Sequence, residues 1–388
     1  MSDILSTRSL RDPVGRRDVV GMVAAAGAAA PLAAPLAGAL PGPPTRHLVV
    51  GTYAAEHGAG LCPLFYDVGR DRWSAGTPVP TIANASFGAY NPRHGLFYLL
   101  DERQDGSVGA YRPDDWRQLG AWTSGGADPC HIALDPRQRQ LAVANYANGS
   151  IALYAVDPAT GGLREPARIS ITPGKGPNAE RQSGPHAHWV GFAPDGRWLH
   201  MVDLGADIVL GFDLRSGGRT PIVSYRAPPG TGPRHMAFHP RLPVAYLVSE
   251  LVSQVTVLEA AGFGRFRATQ SATTLPDGGS SPNFPAEVAI NRAGNRLYVS
   301  NRGHNSIAVF AVSGDGRLRL LEHVPTGNWP RFFLMCEDAG RLFVANQRAG
   351  TVQAFALRPD GRLRPTAASI AVPGAAFIAR VPAGHKVS

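Results

Sequence analysis

The chain repeats one alternation of apolar and polar positions six times. Each copy opens on a short apolar run, breaks at a polar turn, resumes with a second apolar run and ends on a small polar residue. Two of them read His131-Ile-Ala-Leu-Asp-Pro-Arg-Gln-Arg-Gln-Leu-Ala-Val-Ala-Asn145 and Glu287-Val-Ala-Ile-Asn-Arg-Ala-Gly-Asn-Arg-Leu-Tyr-Val-Ser-Asn301. The others occupy residues 87–101, 189–203, 235–249 and 332–346. A third alternating run follows each copy: Val108 to Tyr111, Ser150 to Val156, Ile208 to Leu214, Gln254 to Leu258, Ser306 to Val312 and Thr351 to Leu357. Short runs of this kind, punctuated by Pro, Asp and Gly, predict strands rather than helices.

The turn position recurs at Pro92, Pro136, Pro194, Pro240, Arg292 and Glu337, in steps of 44 to 58 residues. A repeat of about 40 to 50 residues with several strands in each is the pattern of a β-propeller blade. The two longest steps absorb Gly/Pro/Ser-rich insertions at 172–186 and 276–285. The strands left at the ends, Leu48 to Thr52, Leu61 to Val68 and Phe377 to Val381, are too few for one blade each. Joined, they make a seventh blade, and pairing the termini there closes the ring and removes its exposed sheet edges. The expected fold is therefore all-β, a seven-bladed β-propeller over residues 47–382, with a linker over 40–46 and a tail over 383–388. Composition fits: 45 Gly and 34 Pro in 388 residues are too many for a helical bundle and fewer than in low-complexity disorder. A length that would suit two domains is used up by one ring.

The formal charge of +9 raises nucleic-acid binding, which needs basic residues clustered on one element. Lysine is confined to Lys175 and Lys386 and the arginines are strewn singly, so no nucleic-acid partner is expected. Cys62, Cys130 and Cys336 lie far apart without CxxC spacing, which excludes a cysteine zinc site and a dense disulfide framework. At the N-terminus, Arg16-Arg17 precede a weakly apolar Ala/Gly/Leu/Pro stretch that runs to about Leu40, is broken by Pro31 and Pro35 and contains Ala37-Gly38-Ala39. It is a poor membrane span. Residues 1–39 read as a signal for the twin-arginine export machinery, which implies a periplasmic or secreted protein; an uncleaved N-terminal extension is the alternative.

Strands alternate direction within a blade, so the start of the innermost strand and the end of the second meet at one rim of the central channel. Inner-strand starts place Asn84 to Ser86, Cys130-His131, His186 to His188, Arg234-His235, Glu287 and Arg331 there. Second-strand ends add Asp101-Glu102, Asn145-Tyr146, Asp203-Leu204, Ser249-Glu250, Asn301-Arg302 and Asn346-Gln347. The opposite rim receives ordinary hairpin turns. Structural roles compete for several of these. Asn145, Asn301 and Asn346 share a repeat position that suits a turn-forming Asn, His131 and His235 could bond a neighbouring blade's backbone, Cys130 suits a small buried residue as well as a nucleophile, and Glu250 and Arg302 could pair with each other.

The ordered motifs Ala144-Asn145-Tyr146, Gly184-Pro185-His186-Ala187-His188, Asp203-Leu204-Gly205-Ala206-Asp207, Gly232-Pro233-Arg234-His235, Ser249-Glu250-Leu251 and Ser300-Asn301-Arg302-Gly303-His304 resemble the bacterial lactonase family of seven-bladed propellers. These are the 6-phosphogluconolactonase-type proteins, related to the fungal carboxymuconate lactonizing enzyme, and the likeness runs over about residues 47–382. It implies a lactone-opening hydrolase in which a His, two Arg and a Glu handle an anionic lactone or its open acid: His186 or His188, Arg234, Glu250 and Arg302. Lactone hydrolysis needs an activated water, a stabilised oxyanion and a protonated leaving oxygen. Glu250 is expected as general base, His188 or His186 as acid or its partner, and the arginines as anion clamps. His131, Asn145, Asp203, Glu287 and Arg331 are expected to line the substrate. No cofactor is expected, and no metal, since no phosphate loop, HExxH or calcium-type carboxylate set occurs. A monomer is expected. A non-catalytic binding propeller and a muconate-type lactonizing isomerase are the rival readings.

Overall fold

The computed structural model describes residues 45–382, except residue 172 and residues 277–281; the side chain of Pro166 is also left out. The export segment 1–39, most of the expected linker and the tail 383–388 lie outside the described residues. Seven four-stranded antiparallel sheets form the blades. Their innermost strands are Gly88–Asn91, Pro129–Leu134, Ala187–Phe192, Pro233–Phe238, Phe284–Ile290, Pro330–Cys336 and Ala375–Arg380. We number the blades one to seven in that order. The seventh pairs Ala375–Arg380 with Thr45–Thr52, which pairs in turn with Cys62–Asp67, so the ring closes through the two ends of the chain as the leftover strands predict. The closing strand from the N-terminal side begins at Thr45, inside the stretch read as linker. Each blade also has an outer fourth strand, such as Leu163–Ile171 or Leu363–Ala371. The repeat alignment does not find these, because solvent-facing outer strands keep little of the apolar pattern.

Second strands are sandwiched between neighbouring blades, which is why they are apolar on both faces: Leu141 to Asn145, Leu199 to Asp203 and Leu342 to Asn346 are buried throughout. A tyrosine latch recurs between blades. Tyr98, Tyr246 and Tyr298 are fully buried, and each donates its hydroxyl to a glycine carbonyl in the next blade's turn, Gly161, Gly316 and Gly361 respectively. A buried phenol needs such a partner. Among the described residues no helix is long and apolar enough to cross a membrane.

Candidate functional site

Every blade places one bulged residue at the top of its innermost strand. Register slips by one between Pro129 and His131, Ala187 and Trp189, Pro233 and His235, Pro285 and Val288, and Pro330 and Phe332, and the closing strand slips opposite Gly51/Thr52. In blade one, Glu102 N–H bonds Asn84 O and Leu100 N–H bonds Phe87 O, which leaves Ser86 in the same position. A bulge of this kind re-aims a side chain. The proline that opens three of these strands, at Pro129, Pro233 and Pro330, costs nothing there, because the first residue need not donate to the ladder.

Three layers result. The bulged residues Ser86, Cys130, His188, Arg234, Ala286, Arg331 and Ala376 form the middle one. The residues just past the end of the second strand, Tyr53, Glu102, Tyr146, Leu204, Glu250 and Gln347, with Arg302 as the last residue of its strand, form the upper one. Phe87, His131, Trp189, His235, Glu287, Phe332 and Phe377 form a floor. Ring contacts across the molecule establish the convergence: Phe87 of blade one meets His131 at 4.2 Å, His235 at 6.2 Å, Phe332 at 5.5 Å and Phe377 at 5.0 Å.

Glu250 is the hub of the charges. Its Oε2 pairs with Arg234 Nε at 3.0 Å and Arg302 Nη2 at 2.8 Å, and its Oε1 accepts a hydrogen bond from Arg181 Nη2 at 2.7 Å. Arg234 also donates to Ala286 O and Arg302 to Phe284 O, and the Arg302 guanidinium lies over the Trp329 ring. Burial alone would raise the Glu250 carboxyl, but Arg302 and Arg234 hold it well below the usual carboxylate range. Burial and the neighbouring cations pull Arg302 below the ordinary arginine value while leaving it charged at neutral pH. The mutual ion pair is therefore present, and a carboxylate so held is a poor acceptor for a proton from water.

A second cluster sits across the channel. Tyr53 donates to Glu102 at 2.8 Å, and the Arg331 guanidinium lies 5.1 Å from the Tyr53 ring centroid and 4.0 Å from Glu102. Among the described residues Arg331 makes no hydrogen bond through its guanidinium, so its donors are open to the channel. On the floor, His235 Nδ1 lies 3.2 Å from Glu287, and the rings of His131, on the same layer, and His188, above it, meet the His235 ring at 5.2 and 5.3 Å. Burial, reinforced by Arg234, lowers all three imidazoles and keeps them neutral, His131 at about 3.

The expected residues divide by layer. His188 is in the channel; His186 lies above it on the rim, stacked on Tyr146 at 4.4 Å with its Nδ1 against Tyr146 O. Simple alternation put the two histidines on one side, and the bulge at His188 is what separates them. Asn145 and Asp203, expected at the substrate, bond nearby residues through part of their polar atoms, while Asn145 Oδ1 and Asp203 Oδ2 are buried without a hydrogen-bond partner. Asn145 Nδ2 donates to Ser124 O and Ser150 Oγ, and Asp203 accepts the N–H groups of His186 and Ala206. His131 accepts the Val190 N–H of the next blade at 3.5 Å and belongs to the floor.

Arg181 and Tyr53 were not anticipated. Tyr53 falls in the blade assembled from two chain ends, where no complete repeat marks the position. Arg181 comes from the 172–186 insertion. Its neighbour Gln182 is fully buried, donates to Leu204 O and accepts from Asn178 N–H, while Asn178 Oδ1 accepts the N–H groups of Glu180 and Arg181. The loop packs so closely on Gly205 that a Cβ there would lie 1.9 Å from Gly184 O. An inserted loop has no repeat register, so only its polar density hinted at a role.

Cys130 Sγ contacts Ala144 O, Ala187 O and His188 O at 3.5 to 3.8 Å, and burial pushes its thiol far up. Cys62 and Cys336 are pushed up to about 11, chiefly by burial. Iodoacetamide at about pH 8 should therefore leave the folded protein unmodified and alkylate all three cysteines in denaturant; intact-mass analysis reads this directly, and rapid native alkylation would refute it. Among the described residues no group of three or more His, Cys, Asp or Glu could hold a metal ion.

The family model described as "Lactonase, 7-bladed beta-propeller" matches residues 47–380. The chain is 33% identical over 299 residues to the 6-phosphogluconolactonase of Bacillus subtilis, covering 75% of this chain and 85% of that protein. Among solved structures it resembles the periplasmic gluconolactonase of Pseudomonas aeruginosa, with a TM-score of 0.79, 29% identity and coverage of 87% of this chain and 99% of that one. A protein from Lactobacillus plantarum superposes with a TM-score of 0.81 at 27% identity, over 87% of this chain and 100% of that one.

Proposed function

Because the chain belongs to the seven-bladed β-propeller lactonase family and is a lactone hydrolase, we propose that it opens the ring of a sugar-acid lactone by attack of water, on a substrate that carries or develops negative charge. One observation carries this reading: four guanidiniums, Arg181, Arg234, Arg302 and Arg331, converge on the rim against only two paired glutamates, Glu102 and Glu250. A partly buried surplus of cations is unfavourable until an anion completes it. Arg234 and Arg302 are aligned by Glu250 and by backbone carbonyls, so donors not used there are held ready for an oxyanion at no reorganisation cost. Arg331, with open donors, suits the charged or most polar end of the substrate as a planar fork. His188, neutral and beside Arg234, can hydrogen-bond the leaving ring oxygen.

The Bacillus relative is named for a phosphorylated lactone and the Pseudomonas structure for a free one. Export by the twin-arginine route, inferred from Arg16-Arg17, favours a free sugar lactone. A panel of phosphorylated and free sugar lactones, followed by acid release, tests the reading. Turnover of at least one sugar-acid lactone well above the spontaneous rate is expected, and Arg331→Ala should raise KM for it about 10- to 100-fold with kcat little changed, the effect of losing one charge-assisted contact. Flat traces across the panel would leave a non-catalytic ligand-binding propeller in its place.

A further inference from the structure

We propose that Glu287, positioned by His235, is the base that takes the proton from the attacking water, and that Glu250 is not. This rests on the lactone-hydrolysis reading and assigns a role within the same site.

The three glutamates gathered here have different partners. Glu250 is saturated by three guanidiniums, and Glu102 accepts from Tyr53 and faces Arg331. Glu287 has no guanidinium within ion-pair distance; its ion-pair contact among the described residues is the His235 imidazole. Its backbone is fixed by donation of its own N–H to Ser300 Oγ at 3.0 Å. The carboxylate is asymmetric: Oε2 is fully buried towards His235, while the side chain keeps 13% of its surface open. One oxygen is thus seated against His235, and the side chain stands in the floor of the channel with His235 and His131, directly beneath the layer that holds Arg234 and His188.

The electrostatics agree with that geometry. Burial pushes the Glu287 carboxyl up to about 8, opposed mainly by Arg234. A carboxylate of that basicity takes a proton from water far more readily than one pinned by arginines. The groups around the pair are His131 from blade two on the floor, Arg234, His188 and Arg331 in the layer above, and Arg302 with Glu250 at the top. Burial, reinforced by Arg234, holds His235 neutral, so when Glu287 is ionised the Nδ1–H of His235 can donate to Oε2 and orient it.

The step balances. A water O–H proton passes to Glu287 as the oxygen bonds the lactone carbonyl carbon. The ring C–O bond then breaks, its electron pair leaving with the ring oxygen, which receives the proton that Glu287 took, and the carboxylate is restored. The new carboxylic acid releases its own proton to solvent.

The test uses the full chain. The base must be deprotonated, so the rate, corrected for spontaneous opening, should rise with pH through about 8 and level off above. Glu287→Gln should lose about 10²- to 10⁴-fold in kcat and the pH limb with it. His235→Phe should keep a limb moved to higher pH, because the carboxylate loses its donor; a merely structural role would lower the rate without moving it. Independently of turnover, infrared difference spectra between about pH 6 and about pH 10 should show a protonated carboxyl that is absent in Glu287→Gln. A Glu287→Gln variant with wild-type rate and limb, or an infrared band that survives the substitution, would overturn the assignment. If the wild-type protein opens no lactone while the band titrates as expected, the hydrolase reading falls and the buried acid stands.

Discussion

Replacing Glu250 with glutamine is expected to lower stability by about 3–5 kcal/mol, the range for removing one partner from a buried ion pair, and to lower kcat/KM by at least about 10²-fold through loss of oxyanion stabilisation. The side chains of Glu250, Arg234 and Arg302 are almost wholly out of water, and Arg181 completes the set. An isosteric amide has one acceptor oxygen and no charge, so at least one guanidinium is left buried without an acceptor. The arginines then separate, and the donors they aimed at the substrate lose their alignment. The pH dependence follows in sign. The Glu250 carboxyl lies below its ordinary value in the folded protein, so its stabilisation is fully present above the unfolded pKa of about 4.3 and is lost as pH falls towards the folded value. Urea titrations should therefore find the wild-type advantage constant at neutral pH and shrinking on acidification. Equal urea midpoints for the two proteins at pH 7 would rule out the hub role, and an unchanged rate would remove these arginines from catalysis.

The contrast between Glu250 and Glu287 also marks how far the sequence could be read. The blade count, the closing of the ring through its ends and the rim positions followed from a period and from strand direction alone, because second strands buried on both faces leave a strong apolar signal. The positions 102, 146, 250, 302 and 347 were found in that way. The chemistry of each was not, since it depends on which neighbour the closed ring brings near. Glu250 is expected as a base, and Arg181, which sits on its other oxygen, comes from a loop outside the repeat. Asn145 and Asp203 sit at the right height and bond neighbouring residues through part of their polar atoms. His186 and His188 are indistinguishable by alternation, and only the bulge, which leaves no mark in composition, separates rim from channel.

Phe377→Ala is expected to destabilise the protein by about 3–5 kcal/mol, a large share of the roughly 5–15 kcal/mol available to a typical fold. Phe377 lies on the closing strand, paired opposite Gly51. Its ring packs against Phe87 at 5.0 Å and Phe332 at 5.1 Å. The surroundings cannot easily collapse into the space left behind: a Cβ on Gly51 would lie 1.7 Å from Ala85 O, and one on Gly88 3.1 Å from the Phe377 ring. Glycines at those points record a backbone already at closest approach, so the cavity persists and its cost adds to the lost transfer energy. Because each blade buries its faces only against its neighbours, loosening the closure exposes the sides of blades one and six together, and unfolding should remain a single transition at a lower midpoint. Phe263→Ala is the matched control. That ring is 80% exposed at a hairpin tip, and its removal should change stability by no more than about 0.5 kcal/mol. Comparable midpoints for the two variants in urea would mean that the ring is not held shut at this strand. The floor that holds His235 and His131 also contains this phenyl group, so the variant should also lose lactone turnover well below its unfolding temperature, as water reaches the buried imidazoles.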